Sequence, residues 1–183
     1  MRIDVCICTF RRPFVARTLT SCEALALPDG VSLRIIVVDN DETPTARALV
    51  ADTARAMHVP VVYLHAPKHN IAVARNAGLD AVDADWVAFL DDDEEADPAW
   101  LASLIDSARR TGADGVFGPV EPVYPPDAPR WMVAGRVHRQ MVPVNDGAVR
   151  TGHTGNALLR WRGTPWEHVR FRLALGRSGG EDT

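Results

Sequence analysis

The sequence has no apolar stretch long enough to cross a bilayer. Its longest run without Asp, Glu, Lys or Arg, Ala56 to Pro67, contains two His and two Pro, whereas a spanning helix needs roughly 18 or more apolar residues. Met1-Arg2-Ile3-Asp4 leads straight into a strand-like run with no apolar segment before a small-residue cleavage site, so a secretory leader is not expected and a cytoplasmic protein is. Cysteine is scarce: Cys6, Cys8 and Cys22 form an odd set without a second cluster, which signals neither a disulfide framework nor a zinc knuckle. Cys6 and Cys8 lie two apart on an expected strand and share one face, where small buried side chains are the simplest reading. A basic excess is also lacking. With a formal net charge of −4 and no basic stripe interleaved with aromatics, nucleic acid is not an expected partner. No internal repeat is evident.

What is present is enough for one globular domain, or a domain of two halves: 183 residues, 46% hydrophobic and 24% charged. The charge is unevenly placed. From Asn76 to Ala108 there are ten Asp or Glu and no Lys or Arg, whereas Arg130 to Arg177 holds nine Arg against only Asp146 and Glu167. An acidic cluster suits a divalent cation, and an Arg-rich surface suits phosphates or an anionic membrane face.

Strand and helix signals alternate along the first two thirds. Ile3 to Cys8 is apolar apart from Asp4, and Pro13 opens a helix with Val15, Leu19, Cys22 and Ala26 at helical spacing, closed by Pro28-Asp29-Gly30. Ile35 to Val38 is the continuous apolar run of a strand covered on both faces, ending at Asp39-Asn40-Asp41. Thr43-Pro44 reads as the start of a second helix carrying Leu49, Val50 and Met57. Val59 to Leu64 is a third strand, Asn70 caps a helix running to Gly78, and Trp86 to Leu90 is a fourth strand cut off by Asp91-Asp92-Asp93-Glu94-Glu95. Asp97-Pro98 then starts a helix with Leu101, Leu104, Ile105 and Ala108 inward. This order argues for an α/β fold with a mostly parallel, helix-covered sheet. Five prolines between Pro119 and Pro129 describe an extended connection, and we divide the chain there into residues 1–118 and 119–183. Ala157 to Trp161 reads as a further strand, and Gly176 to Gly180 as a flexible loop.

Ligands of open α/β sheets bind at the carboxyl ends of the strands. There the sequence places Thr9 and Arg11, then Asp39, then Asn70 and Arg75, then the acidic run. Asp91 and Asp93 are expected to project to the same side of an extended segment and meet one hard cation, Mg²⁺ or Mn²⁺, while phosphates and water complete its shell. Arg75 either pairs with a diphosphate or forms a salt bridge to the 91–95 run; both readings put it at the same site. Asp39 either accepts a hydrogen bond from a base or ribose or caps the turn that follows it. His153 reads as a loop histidine before it reads as an acid or base. Trp131, Trp161 and Trp166 read as packing residues before they read as sugar platforms.

Taken together, Cys8-Thr9-Phe10-Arg11-Arg12-Pro13, Val37-Val38-Asp39-Asn40, Ala74-Arg75-Asn76-Ala77-Gly78, Phe89-Leu90-Asp91-Asp92-Asp93, Thr154-Gly155-Asn156 and Gly179-Gly180-Glu181-Asp182 resemble, in order and over nearly the whole chain, a family 2 glycosyltransferase of the GT-A fold. The variant is similar to bacterial enzymes of exopolysaccharide synthesis that add a sugar, often glucose, to lipid-linked intermediates. The resemblance implies a nucleotide-binding half, residues 1–118, and an acceptor-side half, residues 119–183. It implies that Thr9, Arg11 and Asp39 hold base and ribose, with Arg75 near base or phosphates. Asp91 to Asp93 correspond to the family's DxD signature, Asp91 and Asp92 lying on the donor and Asp91 and Asp93 holding Mn²⁺ or Mg²⁺, with Asp93 as its principal contact. Asp182 becomes the catalytic base, and Thr154, Gly155 and Asn156 lie near the transferred sugar and acceptor.

The implied activity is inverting transfer from a nucleotide-sugar, UDP-sugar first, to a saccharide or lipid-linked saccharide, at the cytoplasmic face of the membrane with peripheral contact. One base suffices for direct displacement, unlike the paired carboxylates of a glycosidase. Family members continue past the position of Thr183, so a shortened form is expected. That keeps a catalytically incomplete nucleotide-sugar-binding module as the alternative. A sugar-1-phosphate nucleotidyltransferase is disfavoured, because Thr9-Phe10-Arg11-Arg12 lacks the glycines of a phosphate loop.

Overall fold

The computed structural model describes residues 1–142, 144–145, 148–149, 152–177 and 180. Its elements in chain order are β1 (Arg2–Thr9), α1 (Val15–Glu23), β2 (Ser32–Asp39), α2 (Arg47–Ala54), β3 (Val61–His65), α3 (Ile71–Asp80), β4 (Trp86–Leu90), α4 (Trp100–Thr111), β5 (Gly115–Phe117), α5 (Arg130–Gly135), β6 (Val144–Asn145), β7 (Ala148–Val149) and β8 (Asn156–Arg160). The main sheet has six strands in the order β3-β2-β1-β4-β8-β5. Strands β1 to β4 pair in parallel, and β8 runs antiparallel to both of its neighbours, β4 and β5. The α/β class and mostly parallel sheet expected from the sequence are present.

Why the central strands are apolar throughout follows from the two layers they cover. Along β1, Ile3, Val5 and Ile7 pack with Val15, Leu19, Leu101 and Ile105 of α1 and α4. The intervening Cys6, with Ile36 and Val38 of β2, faces Ala74 and Leu79 of α3. Period-two alternation therefore buries both faces. Cys8 packs partly buried against the α3-side cluster, so both strand cysteines are packing residues. Asp4 interrupts the apolar run without breaking it. Its carboxylate accepts two bonds from Arg34 at 2.8 and 2.6 Å, the residue directly opposite on β2, and a third from Asp83 N–H at 2.8 Å.

Helix starts differ from the sequence reading. Helix α1 begins at Val15 rather than Pro13 and ends before Ala26, and α2 begins at Arg47 rather than at Thr43-Pro44, leaving Met57 beyond its end. The cause at α2 is a remote cap: Asp39 accepts the Ala46 N–H at 2.8 Å, so the carboxylate at the tip of β2 decides where the helix opens. Asp97 behaves as a start signal, accepting Ala99 N–H at 2.8 Å one turn ahead of α4. The proline-rich stretch carries no regular element before α5.

Past β8, residues 161–177 form a strap over the α3 face of the sheet, where Trp161, Trp166 and Phe171 pack on the second core cluster. Trp131 is 66% exposed. Gly176, expected in a flexible loop, is buried instead and accepts the Ile71 N–H at 3.1 Å. A Cβ there would lie 1.9 Å from Asn70 Oδ1, so only glycine fits this seat.

Candidate functional site

At the carboxyl ends of β1 to β4 lies a cleft of about 940 Å³ whose wall includes Thr9, Arg12, Arg75 and the three aspartates 91–93. A second cavity, about 650 Å³ under the strap, is walled chiefly by apolar side chains such as Leu79, Phe89 and Trp166. The charged side chains expected at the site gather in the first.

The acidic run is not extended. Residues 92 and 93 form a turn closed by Glu94 N–H to Asp91 C=O at 3.2 Å. The expected extended run is thereby corrected, and Asp91 and Asp93 pair with different arginines. Arg75, 6% exposed, stands 3.8 Å from Asp91. Arg12 Nη1 lies 3.0 Å from Asp92 and 2.5 Å from Asp93. The turn is braced from α1, because Thr18 Oγ1 donates to Asp92 C=O at 3.1 Å and Ser21 Oγ accepts Ala96 N–H at 2.9 Å.

Burial raises the pKa of Asp92 despite the opposing pull of Thr9 and Arg12. The Thr9 hydroxyl is buried without a well-formed hydrogen bond. Glu94 goes further, to about 8, because it is buried beside the charges of Asp91 and Asp93, with the Asp91 N–H partly offsetting them. The Cys8 thiol, also on the cleft wall, is pushed up to about 12 by burial, so it is no nucleophile at neutral pH.

The raised Glu94 pKa has a stability consequence. Between the unfolded value near 4.5 and the folded value of about 8, the folded chain holds a proton that the unfolded chain has lost. Stability therefore falls as pH rises through that window and levels off above it. Glu94→Gln mimics the protonated form and is expected to remove this slope. With EDTA present, thermal melts should show equal stability near pH 4 and a gain of about 2–4 kcal/mol at pH 8.5.

The other expected site residues divide. Asp39 is fully buried and does not face the cleft; its oxygens accept from Asp41 N–H at 3.0 Å, Ala46 N–H at 2.8 Å and Tyr63 O–H at 2.7 Å. Arg11 also stands off the cleft wall. With φ of 52°, its side chain turns to Asp41 and forms a two-pronged pair at 2.8 and 2.9 Å, which holds the Asp41 pKa down at about 2.

Gly155 does meet the acidic run: a Cβ there would fall 2.8 Å from Glu94 Oε1 and 3.2 Å from Asp91 Oδ2. Thr154 is buried beside it. The Asn156 amide is occupied, accepting from Trp100 Nε1 at 2.8 Å and donating to Pro119 C=O at 2.9 Å. Gly179, Glu181 and Asp182 lie outside the described residues.

Several contributors were missed from sequence. Arg12 could have been chosen over Arg11 only by knowing the backbone conformation between them. Asn40 ties two loops together, donating to Ala66 C=O and accepting Asn70 N–H, both at 2.7 Å. Phe10 and His69 stack at 4.3 Å with rings 6° apart on the cleft wall. Their pairing spans loops that no local pattern connects.

Among the described residues no three His, Cys, Asp or Glu side chains form a ready-made metal cage. Asp91 and Asp93 are half-exposed carboxylates at 50% and 54% and open on the cleft. That donor set suits a hard cation whose remaining ligands come from phosphate and water.

The glycosyl transferase family 2 model matches residues 4–162. The chain is 48% identical over its entire length to the succinoglycan biosynthesis protein ExoM of Rhizobium meliloti (strain 1021), and spans 59% of that protein. It is 36% identical over 93 residues, half of this chain, to ExoO of the same organism and spans 26% of that protein.

Among solved structures, S. aureus TarS in complex with UDP-GlcNAc superposes with a TM-score of 0.72 at 17% identity, covering 100% of this chain and 51% of that one. The mannosyltransferase PcManGT of Pyrobaculum calidifontis with GDP-Man and Mn²⁺ gives 0.63 at 18% identity, covering 93% and 47%. At these identities the likeness establishes the fold, GT-A. With the family model matching most of the residues and ExoM aligned along the whole of them, the chain belongs to glycosyl transferase family 2.

Proposed function

We propose that the chain holds the donor-binding and catalytic part of an inverting, metal-dependent glycosyltransferase. It moves a sugar from a nucleotide-sugar, UDP-sugar first, to a saccharide or lipid-linked saccharide during cell-surface polysaccharide synthesis. The observation that carries this reading is the convergence of Thr9, Arg75 and the 91–93 turn on one cleft, with Gly155 packed against that turn. The similarity to ExoM supports the polysaccharide setting, and the UDP-GlcNAc and GDP-Man complexes of TarS and PcManGT support a nucleotide-sugar donor.

Asp91 and Asp93 are the residues suited to hold Mn²⁺ or Mg²⁺, which supplies Lewis-acid stabilisation of the departing diphosphate. Arg75, fixed and largely buried, adds a permanent positive charge at the same wall. Thr9 lines the base and ribose end. Arg11 and Asp39 contribute to that end through Asp41 and the start of α2. Thr154, Gly155 and Asn156 hold the backbone beside the acidic turn, and the missing Cβ of Gly155 leaves room for Glu94 there. Asp182 is the assigned base, taking the acceptor hydroxyl's proton as the new bond to the anomeric carbon forms. It lies five residues past Arg177, which lines the cleft; that is at most about 18 Å of chain.

Among the described residues no helix is long and apolar enough to cross a membrane. We place the protein at the cytoplasmic face of the membrane in peripheral contact, supported by the Arg-rich second half and the exposed Trp131, Val133 and Met141. Turnover of a UDP-sugar, compared between the unaltered chain and Asp182→Asn, tests the central claim. Donor binding should persist while turnover drops about 10²–10⁴-fold. Equal turnover in the two proteins removes Asp182 from the mechanism.

A further inference from the structure

Asn76 follows Arg75 on α3 and so points about 100° away round the helix, off the cleft and toward the strap. Its amide makes both hydrogen bonds that a peptide group would make with a neighbouring strand. Oδ1 accepts the Phe171 N–H at 2.7 Å and Nδ2 donates to the Phe171 C=O at 2.9 Å, across 95 positions of sequence.

The Phe171 ring thus fixed lies under the Arg75 guanidinium, 5.5 Å from Cζ to centroid. The same ring meets Phe89 edge-on at 6.0 Å, two residues before Asp91. The strap is pinned again where Asn70 Nδ2 donates to Leu173 C=O at 2.9 Å and where Gly176 seats on α3. A guanidinium only 6% exposed is held partly by a ring, and the ring is held by an amide outside the cleft.

We propose that Asn76 is a positioning residue for the donor site, acting through Phe171 on the placement of Arg75 and thereby on that of Asp91. This rests on the transferase reading of the cleft. Loss of the clasp frees Phe171 to move, takes away the desolvated cation–π contact, and lets Arg75 shift relative to the carboxylate it faces at 3.8 Å. An amide that served only to stabilise the fold would change the melting temperature without changing how the folded protein binds its ligand.

The test is calorimetric titration of UDP in Mn²⁺ with the full chain, at a temperature well below every melt. Four proteins are compared: unaltered, Asn76→Leu, Phe171→Leu and the double variant. Each single change is expected to weaken UDP binding about five- to thirtyfold, the range a desolvated cation–π contact supports. The double variant should be no weaker than the weaker single within about twofold, because both changes cut one path.

Unchanged affinity in either single variant overturns the proposal, as does full multiplication of the two effects. Should Asn76→Leu fail to fold, Asn76→Ser, a smaller change that removes the same two bonds to the Phe171 backbone, takes its place in the comparison. If the unaltered chain binds no UDP, the donor reading and the proposal fall together. Binding by the unaltered chain with indifferent variants overturns the clasp only.

Discussion

Asp93→Ala is expected to abolish the Mn²⁺-dependent part of the rise in melting temperature that UDP produces, leaving only the metal-independent part. At a ligand concentration 100 times Kd, binding contributes about 2.7 kcal/mol. For a domain of this size that corresponds to a shift of about 5–11 °C. The variant is a clean probe because its structural cost is small. The Asp93 side chain is 54% exposed, and Arg12, which it loses, keeps Asp92 at 3.0 Å. A half-exposed ion pair contributes under about 1 kcal/mol, so the unliganded melt should barely move. A full Mn²⁺ response in Asp93→Ala would overturn the assigned cation site, while a chain that fails to respond to UDP at all, even unaltered, would overturn the donor site itself.

The second large effect is on stability. Asp39→Ala should lower it by about 3 kcal/mol or more, since the change strands the buried N–H groups of Asp41 and Ala46 and takes the acceptor from the partly buried Tyr63 hydroxyl. In a thermal melt this corresponds to about 6–12 °C. Asp39→Asn should recover only part of it, because one end of the amide presents N–H to groups that are themselves donors. A melting temperature within a degree of the unaltered chain would contradict the role of Asp39 as the cap that opens α2. Asp39 bounds the cleft without facing it, because its bond to the Asp41 N–H fixes the loop that carries Asn40 on the cleft wall.

These two residues also mark how far local reasoning reaches. The apolar runs of β1, β2 and β4 and the acidic stop after Leu90 are written in consecutive residues, so the strands, the rim and the placement of Arg75 beside the acidic run are legible directly. What the sequence hides is set by partners far apart along the chain. The start of α2 at Arg47 depends on a carboxylate seven residues before Ala46. Arg11 and Arg12 are chemically identical neighbours, and only the left-handed backbone at Arg11 sends one to Asp41 and the other to Asp92 and Asp93. The turn at 92–93 replaces an extended run because Glu94 N–H reaches back to Asp91 C=O. The Asn76 clasp joins residues 95 positions apart, beyond any periodicity. The antiparallel entry of β8 is equally silent, since Asn-Ala-Leu-Leu-Arg fits either direction.

That entry has a consequence for how the molecule is assembled. Strand β5 reaches the sheet only through β8, so during synthesis the flank of β4 stays bare until residue 160 has left the ribosome. For that interval the N–H and C=O groups of Trp86 to Leu90 that point away from β1 present a sticky border to any passing chain. Fragments cut upstream of Asn156 keep the border permanently and should clump, however well their first four strands form.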